Sequence, residues 1–220
     1  MYLPQAGDTA TFQTSSSAGG PVVTHTETWE NSSLDGQSVL LMNDYDQSNA
    51  LTGKQYLQYQ SARSMRILKA EGYSNGSKES ETTLNPNEFR AFPEVVGGLV
   101  NYSTTSTTKL FGQTAAQMQA LLGSDSISAK LSLTIQYVGN ESVTVPAGTF
   151  SACKYELKSL FAEFSNAMFG SSMFPNTTVT TWHAPGVGMV KSTSSSATAI
   201  GNVTSSMELK SGRFSGISKP

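Results

Sequence analysis

Apolar and polar residues alternate most clearly in the middle of the chain. Ile127, Ala129, Leu131, Leu133, Ile135 and Tyr137 fall on one side, and Ser128, Lys130, Ser132, Thr134 and Gln136 on the other. Period two with one apolar side predicts an antiparallel strand that buries one face. Its partner is predicted over 150–157, where Cys153, Tyr155 and Leu157 share a face, reached through Gly139-Asn140 and the turn Pro146-Ala147-Gly148. Two stretches, Val143-Thr144-Val145-Pro146-Ala147-Gly148-Thr149-Phe150 and the run from Thr181 to Lys191, each read as strand, tight turn, strand. In both, Pro presets one turn dihedral and Gly supplies positive φ. Segments 177–182 and 187–193 form a second hairpin around the latter turn. Upstream, 7–15 and 22–29 flank a Gly/Pro-rich turn and read as a hairpin. A loop over 31–36, a short strand at 39–42, one or two strands within 55–73 and a long polar turn over 75–87 follow. A last strand over 205–210 places Met207 and Leu209 inward, with a frayed tail from Ser211.

Two segments break this rhythm. Thr114 and Gln117 have capping-box spacing, Ala115, Met118, Leu121 and Leu122 follow at helical intervals, and Gly123 can end the helix. Farther on, Leu157, Leu160, Phe161, Phe164 and Met168 recur at helical spacing ahead of Phe169, Met173 and Phe174. A helix there carries a broad Phe/Met face, which either closes one side of the core or forms a pliable lid over a ligand. The expected fold is mainly β (α+β). It is one strongly curved antiparallel sheet or half-barrel over residues 1–220, with one or two short helices across its open face. Phe92-Pro93 followed by Gly97 echoes Tyr2-Leu3-Pro4 followed by Gly7, which raises the reading of two similar halves, 1–91 and 92–220.

Composition removes several functions. Fourteen basic and sixteen acidic residues are scattered along the chain, without the clustered positive charge that nucleic acid requires. No run of about twenty apolar residues is present to span a bilayer as a helix. The single Cys153 cannot form an internal disulfide and reads as a small strand residue. Two histidines, His25 and His183, lack the paired spacing of a zinc site. Asp44-Tyr45-Asp46 lacks the glycine and terminal glutamate of a calcium loop. No nucleophile elbow or phosphate loop is present. Carboxylates such as Glu27, Asp44, Asp46 and Glu156 read as solvated strand and turn residues. No cofactor and no metal is expected.

Four pieces stand in a familiar order: Tyr2-x-Pro4-x-x-Gly7, Phe92-Pro93, Val145-Pro146-Ala147-Gly148-Thr149-Phe150, and Trp182-x-Ala184-Pro185-Gly186-Val187-Gly188-x-Val190-Lys191. They resemble the TapB-like group of exported bacterial domains, often lipoproteins or periplasmic proteins. The resemblance implies a curved sheet similar to the half-barrels of the lipoprotein carriers LolA and LolB, and it transfers no catalytic residue. His183 departs from the pattern, which leads to an aromatic such as Tyr there and therefore to packing rather than proton transfer.

Low charge and a Ser/Thr content of about a quarter of the chain fit the same extracytoplasmic setting, periplasmic or outer-membrane-anchored. A signal or lipoprotein leader is expected to have been removed ahead of Met1. The expected function is non-catalytic. The concave face binds an apolar or lipid-like ligand through Met118, Leu122, Phe161, Phe164, Met168 and Phe174, with Trp182 near the rim. The alternatives are an assembly module acting on an envelope protein partner and, last, a weak hydrolase that would place His25 or His183 beside a serine and a carboxylate.

Overall fold

The computed structural model describes residues 3–61, 63–164, 177–198 and 201–215. Among them, twelve strands and one helix run in the order β1 (Thr9–Ser16), β2 (Val23–Leu34), β3 (Gln37–Tyr45), β4 (Leu51–Ser61), β5 (Ser64–Ser74), β6 (Ser77–Ala91), β7 (Leu99–Leu110), α1 (Gly112–Leu122), β8 (Ser126–Val145), β9 (Gly148–Phe164), β10 (Thr177–Ala184), β11 (Gly188–Thr198) and β12 (Gly201–Arg213). Each strand pairs with the one before it, and β1 pairs antiparallel with β12 from Thr9↔Arg213 to Ser16↔Ser205. The sheet is therefore a closed barrel rather than a half-barrel. Closure satisfies both sheet edges, which would otherwise present unpaired N–H and C=O groups.

Two hairpins are tighter than the sequence pattern suggests. Asp35 and Gly36 both have positive φ, 50° and 78°, and Asn75 and Gly76 have 51° and 77°. These are two-residue turns whose twist matches the flanking strands. The expected loop at 31–36 is therefore mostly strand β2, and the expected long turn at 75–87 is mostly β6. Along β6 the ladder to β5 jumps from Lys69↔Thr83 to Ile67↔Glu88, so Pro86 sits where the pairing is interrupted. The polarity of β6 misled because its outer face carries ion pairs. Lys69 and Lys78 both bond Glu71 and Glu81, at 2.6–3.3 Å.

The expected helix beginning at Leu157 is also corrected. Through Phe164 the chain is β9, paired to β8 at Ser132↔Phe161 and Ala129↔Phe164, and to β10 at Leu157↔Val179. Strand ladders on both sides override a helical spacing of side chains. Helix α1 begins two residues before Thr114, with Phe111 at its N-cap and no side-chain cap bond, so the expected capping box is not used. Gly123 does end it, at φ 70°, donating its N–H to Gln119 O at 2.9 Å. The barrel has no open face to cover, and α1 bridges β7 and β8 with most of its residues exposed.

Paired residues project from the same face, so the ladders define the barrel interior. It holds Phe12 and Leu209 in one direct pair and Leu57, Ile67 and Leu84 in one buried cluster. A further cluster surrounds Tyr155, which is fully buried with Phe92, Ile135 and Tyr137. The tip of the β8–β9 hairpin bends back: Ala147 N–H donates to Leu209 O at 3.1 Å, and Val143, Val145 and Phe150 join Val187 and Leu209 in one cluster.

Candidate ligand cavity

Alternate residues of β1 to β5 and β9 to β11 leave a cavity of about 220 Å³ inside the barrel. Its wall is largely apolar, with Phe12, Trp29, Met42, Leu57, Met65 and Met189 prominent. Period two explains the set: Phe12, Trp29, Met42 and Leu57 lie on the inward face of consecutive strands, and Trp29↔Met42↔Gln55 is one continuous cross-strand row. A cavity of about 150 Å³ already admits a benzene-sized guest when it is apolar.

Among the described residues, Glu27, Gln55, Tyr59, Thr181 and His183 bring polar groups to the wall. Thr181 and His183 are joined by a hydrogen bond of 3.2 Å between Oγ1 and Nε2. The His183 ring lies 5.1 Å from that of Phe92 and 5.8 Å from that of Tyr155, the company of a packing residue. The Tyr59 hydroxyl, also in the wall, donates to Pro4 O at 2.6 Å. Glu27 is different. Its Oε1 is 3.9 Å from His25 Nε2, and Asp44 is its direct cross-strand partner. Burial, followed by the charge of Asp44, pushes its carboxyl up from 4.5 to about 8. Burial raises Asp44 too, against the attraction of His25. One oxygen of Asp44, Oδ1, is buried without a hydrogen-bond partner among the described residues.

Of the residues singled out from sequence, Met118 and Trp182 stand away from this wall. Met118 is half-buried on α1, and Trp182 faces away from the cavity between Lys154 and Lys191, its indole N–H bonded to the Glu141 carboxylate. Phe161 and Phe164 lie along β9 and Leu122 ends α1, while Met168 and Phe174 fall outside the described residues. Sequence reasoning set aside Glu27 and Asp44 as solvated. The available signal was their apolar company at period two, Trp29 beyond Glu27 and Met42 before Asp44, but only barrel closure shows that this face is the inside. Cys153 is half-buried opposite His183 in the β9–β10 ladder. Among the described residues no three His, Cys, Asp or Glu side chains are grouped to hold a metal. Among the described residues, another depression, of about 310 Å³, is lined by Ser and Thr alone.

The barrel as a whole superimposes on a protein from Bacteroides fragilis NCTC 9343 classed as exported, with a YmcC-like fold. The match has a TM-score of 0.59 at 14% identity and covers 96% of this chain and 98% of that one. The fold is similar to the YmcC-like one. A protein from Parabacteroides distasonis classed as a lipoprotein matches with a TM-score of 0.55 at 12% identity, over 96% and 97% of the two chains. The hypothetical lipoprotein YmcC of Escherichia coli gives 0.44 at 10% identity over 92% and 83%, too low to add to the argument. At the sequence level, the DUF3108-like family model matches residues 102–209, β7 to β12. No curated protein matches the sequence. These matches carry a DUF3108-like and a YmcC-like description, and none of them bears on the TapB-like or LolA/LolB resemblance.

Proposed function

We propose that this chain is a non-catalytic protein of the bacterial envelope that holds a small apolar or lipid-like molecule inside its barrel. The observation that carries the reading is the apolar cavity of about 220 Å³, walled by side chains from eight strands and furnished with few polar groups. Its size restricts the guest to a short or single-chain molecule. An extracytoplasmic site is supported by the export and lipoprotein classes of the two structural neighbours that share the fold. The residues named from the sequence, Met118, Leu122, Phe161, Phe164, Met168, Phe174 and Trp182, stay a proposal for a second contact surface that would serve a longer ligand.

The test is native mass spectrometry of the protein purified from a bacterial envelope, before and after organic extraction. Extra mass released as a lipid-like molecule supports the reading, and its absence from Ala10→Leu, which narrows the cavity, ties it to the barrel interior. A bare mass, together with no uptake of short-chain apolar probes, rejects it. If Phe164→Asp and Met168→Asp leave fold and uptake unchanged, the second surface is not used.

One observation favours the assembly reading instead. Val95, Val96 and Leu99 are 74%, 65% and 59% exposed beside Val138, on a loop docked by Gly97 N–H to Tyr137 O at 2.8 Å. Clustered exposed aliphatic residues mark contact surfaces. Val96→Ser with Leu99→Ser would abolish co-purification of a specific envelope protein if this surface is the docking face, and would leave it unchanged otherwise.

A further inference from the structure

We propose that the cavity selects an amphiphile with an apolar body and one primary ammonium head, seated between the carboxyls of Glu27 and Asp44. The inference rests on the binding reading above and adds the chemistry of the head group. Glu27 and Asp44 are direct partners across the β2–β3 ladder, so both project from the inward face, and Glu27 lines the cavity itself. Asp44 stands beside the lining rather than in it: its Oδ1 is buried without a hydrogen-bond partner among the described residues, while its carboxyl also takes hydrogen bonds from the Thr52 side chain and the Tyr45 backbone.

The surroundings supply no fixed cation to this pair. On β1 the residues facing Glu27 and His25 are Ala10 and Phe12, and the Phe12 ring stacks on His25 at 5.4 Å. On β4 Gly53 faces Asp44, and Gln55 is the next inward residue. Along β2, His25 stands 3.9 Å from Glu27. Just past β3, Asp46 adds a further acid, whose Oδ1 accepts bonds from Ser48 and Ala50. Elsewhere in the wall, His183 is bonded to Thr181, and the Tyr59 hydroxyl donates to Pro4. Among the described residues the lining contains no Lys or Arg.

An interior with two neighbouring carboxyls, one nearby imidazole and an otherwise apolar wall keeps Glu27 protonated for want of a cation. A primary ammonium brings three donors and one positive charge, enough to bond both carboxyls and let Glu27 ionise. A carboxylate head would add another acid to the cluster, and a hydroxyl would satisfy one bond without compensating charge.

The experiment titrates the protein with n-hexylamine, n-hexanol and hexanoate at pH 6 and pH 8, by calorimetry and by the fluorescence of Trp29 in a Trp182→Phe background. Hexylamine is protonated at both values, since amines of this type lose their proton near 10. Its binding expels the Glu27 proton, so its affinity rises toward tenfold for each pH unit up to about pH 8, while hexanol is insensitive to pH. Glu27→Gln, a neutral isostere of the protonated side chain, is expected to remove the preference for hexylamine over hexanol and to erase the pH slope. Asp44→Asn weakens hexylamine in the same direction and serves if Glu27→Gln does not fold. Hexanoyl lysophosphatidylethanolamine carries the same ammonium on a single-chain lipid. Its preference over hexylamine would assign the ligand to lipids, and the reverse to free amines.

If hexanol or hexanoate outcompetes hexylamine at pH 8, or if Glu27→Gln keeps the preference for the amine, the head-group assignment is overturned while the cavity reading stands. If none of the four probes binds, the cavity reading falls as well.

Discussion

Glu27 makes the stability of the empty barrel depend on pH in an unusual direction. In the folded chain its carboxyl holds a proton up to about pH 8, whereas an unfolded carboxyl releases it near 4.5. Between those values the folded state binds more protons than the unfolded state, so stability falls as pH rises, and the loss is complete above about pH 8. At about 1.4 kcal/mol for each pH unit, that interval corresponds to roughly 5 kcal/mol. Water entering the cavity screens part of it, so a loss of about 2–5 kcal/mol between pH 5 and pH 8.5 is expected. Glu27→Gln keeps the shape of the protonated side chain and removes the titration. Its unfolding free energy, measured by guanidinium denaturation from pH 5 to 9, should match the parent near pH 5 and exceed it by about 2–5 kcal/mol at pH 8.5. Parallel curves for the two proteins over that range would refute the reasoning, because they would mean that the Glu27 carboxyl is hydrated in the folded barrel.

Three further outcomes follow from the geometry. Glu71 is pushed up by burial but held at about 2 by stronger hydrogen bonds from Lys69, Tyr73 and Lys78, so its contribution is present above about pH 4.5 and is lost as pH falls toward 2. Glu71→Ala, which leaves Lys69 and Lys78 with Glu81 alone and removes the acceptor of the Tyr73 hydroxyl, should cost about 1–3 kcal/mol in thermal or chemical unfolding at pH 7. The fully buried Asp8 carboxylate accepts Gln5 N–H at 2.8 Å, and Ser215 N–H and hydroxyl at 2.7 and 2.6 Å, joining the two ends of the barrel wall. Asp8→Ala should cost about 2–3 kcal/mol and speed proteolysis near both termini, read by mass mapping of early fragments. Gly76→Ala forces a side chain onto φ 77° in the β5–β6 turn and should cost about 1–2 kcal/mol in urea unfolding, with the strands otherwise intact by circular dichroism.

The sequence by itself determined that the chain is built of antiparallel strands. The alternation from Ile127 to Tyr137, the Pro-Ala-Gly and Pro-Gly-Val-Gly turns and the helix ending at Gly123 are local signals, and local signals survive in the linear text. It also brought out two kinds of error with one cause. Segment 75–87 looked like a turn because its outward Lys78 and Glu81 are polar, yet Lys69 and Glu71 on the neighbouring strand neutralise them. Segment 157–164 looked helical because spacing cannot register the ladders that β8 imposes on it as far as Phe164 and β10 as far as Ser159. Only the tertiary structure decided which face is the inside. Thr9 and Arg213 lie at opposite ends of the chain, and their pairing closes the barrel, turning an open curved sheet into an enclosure. That one long-range event places Glu27, an acid of ordinary appearance in the sequence, against a largely apolar cavity with Asp44 beside it across the ladder, where burial penalises its charge.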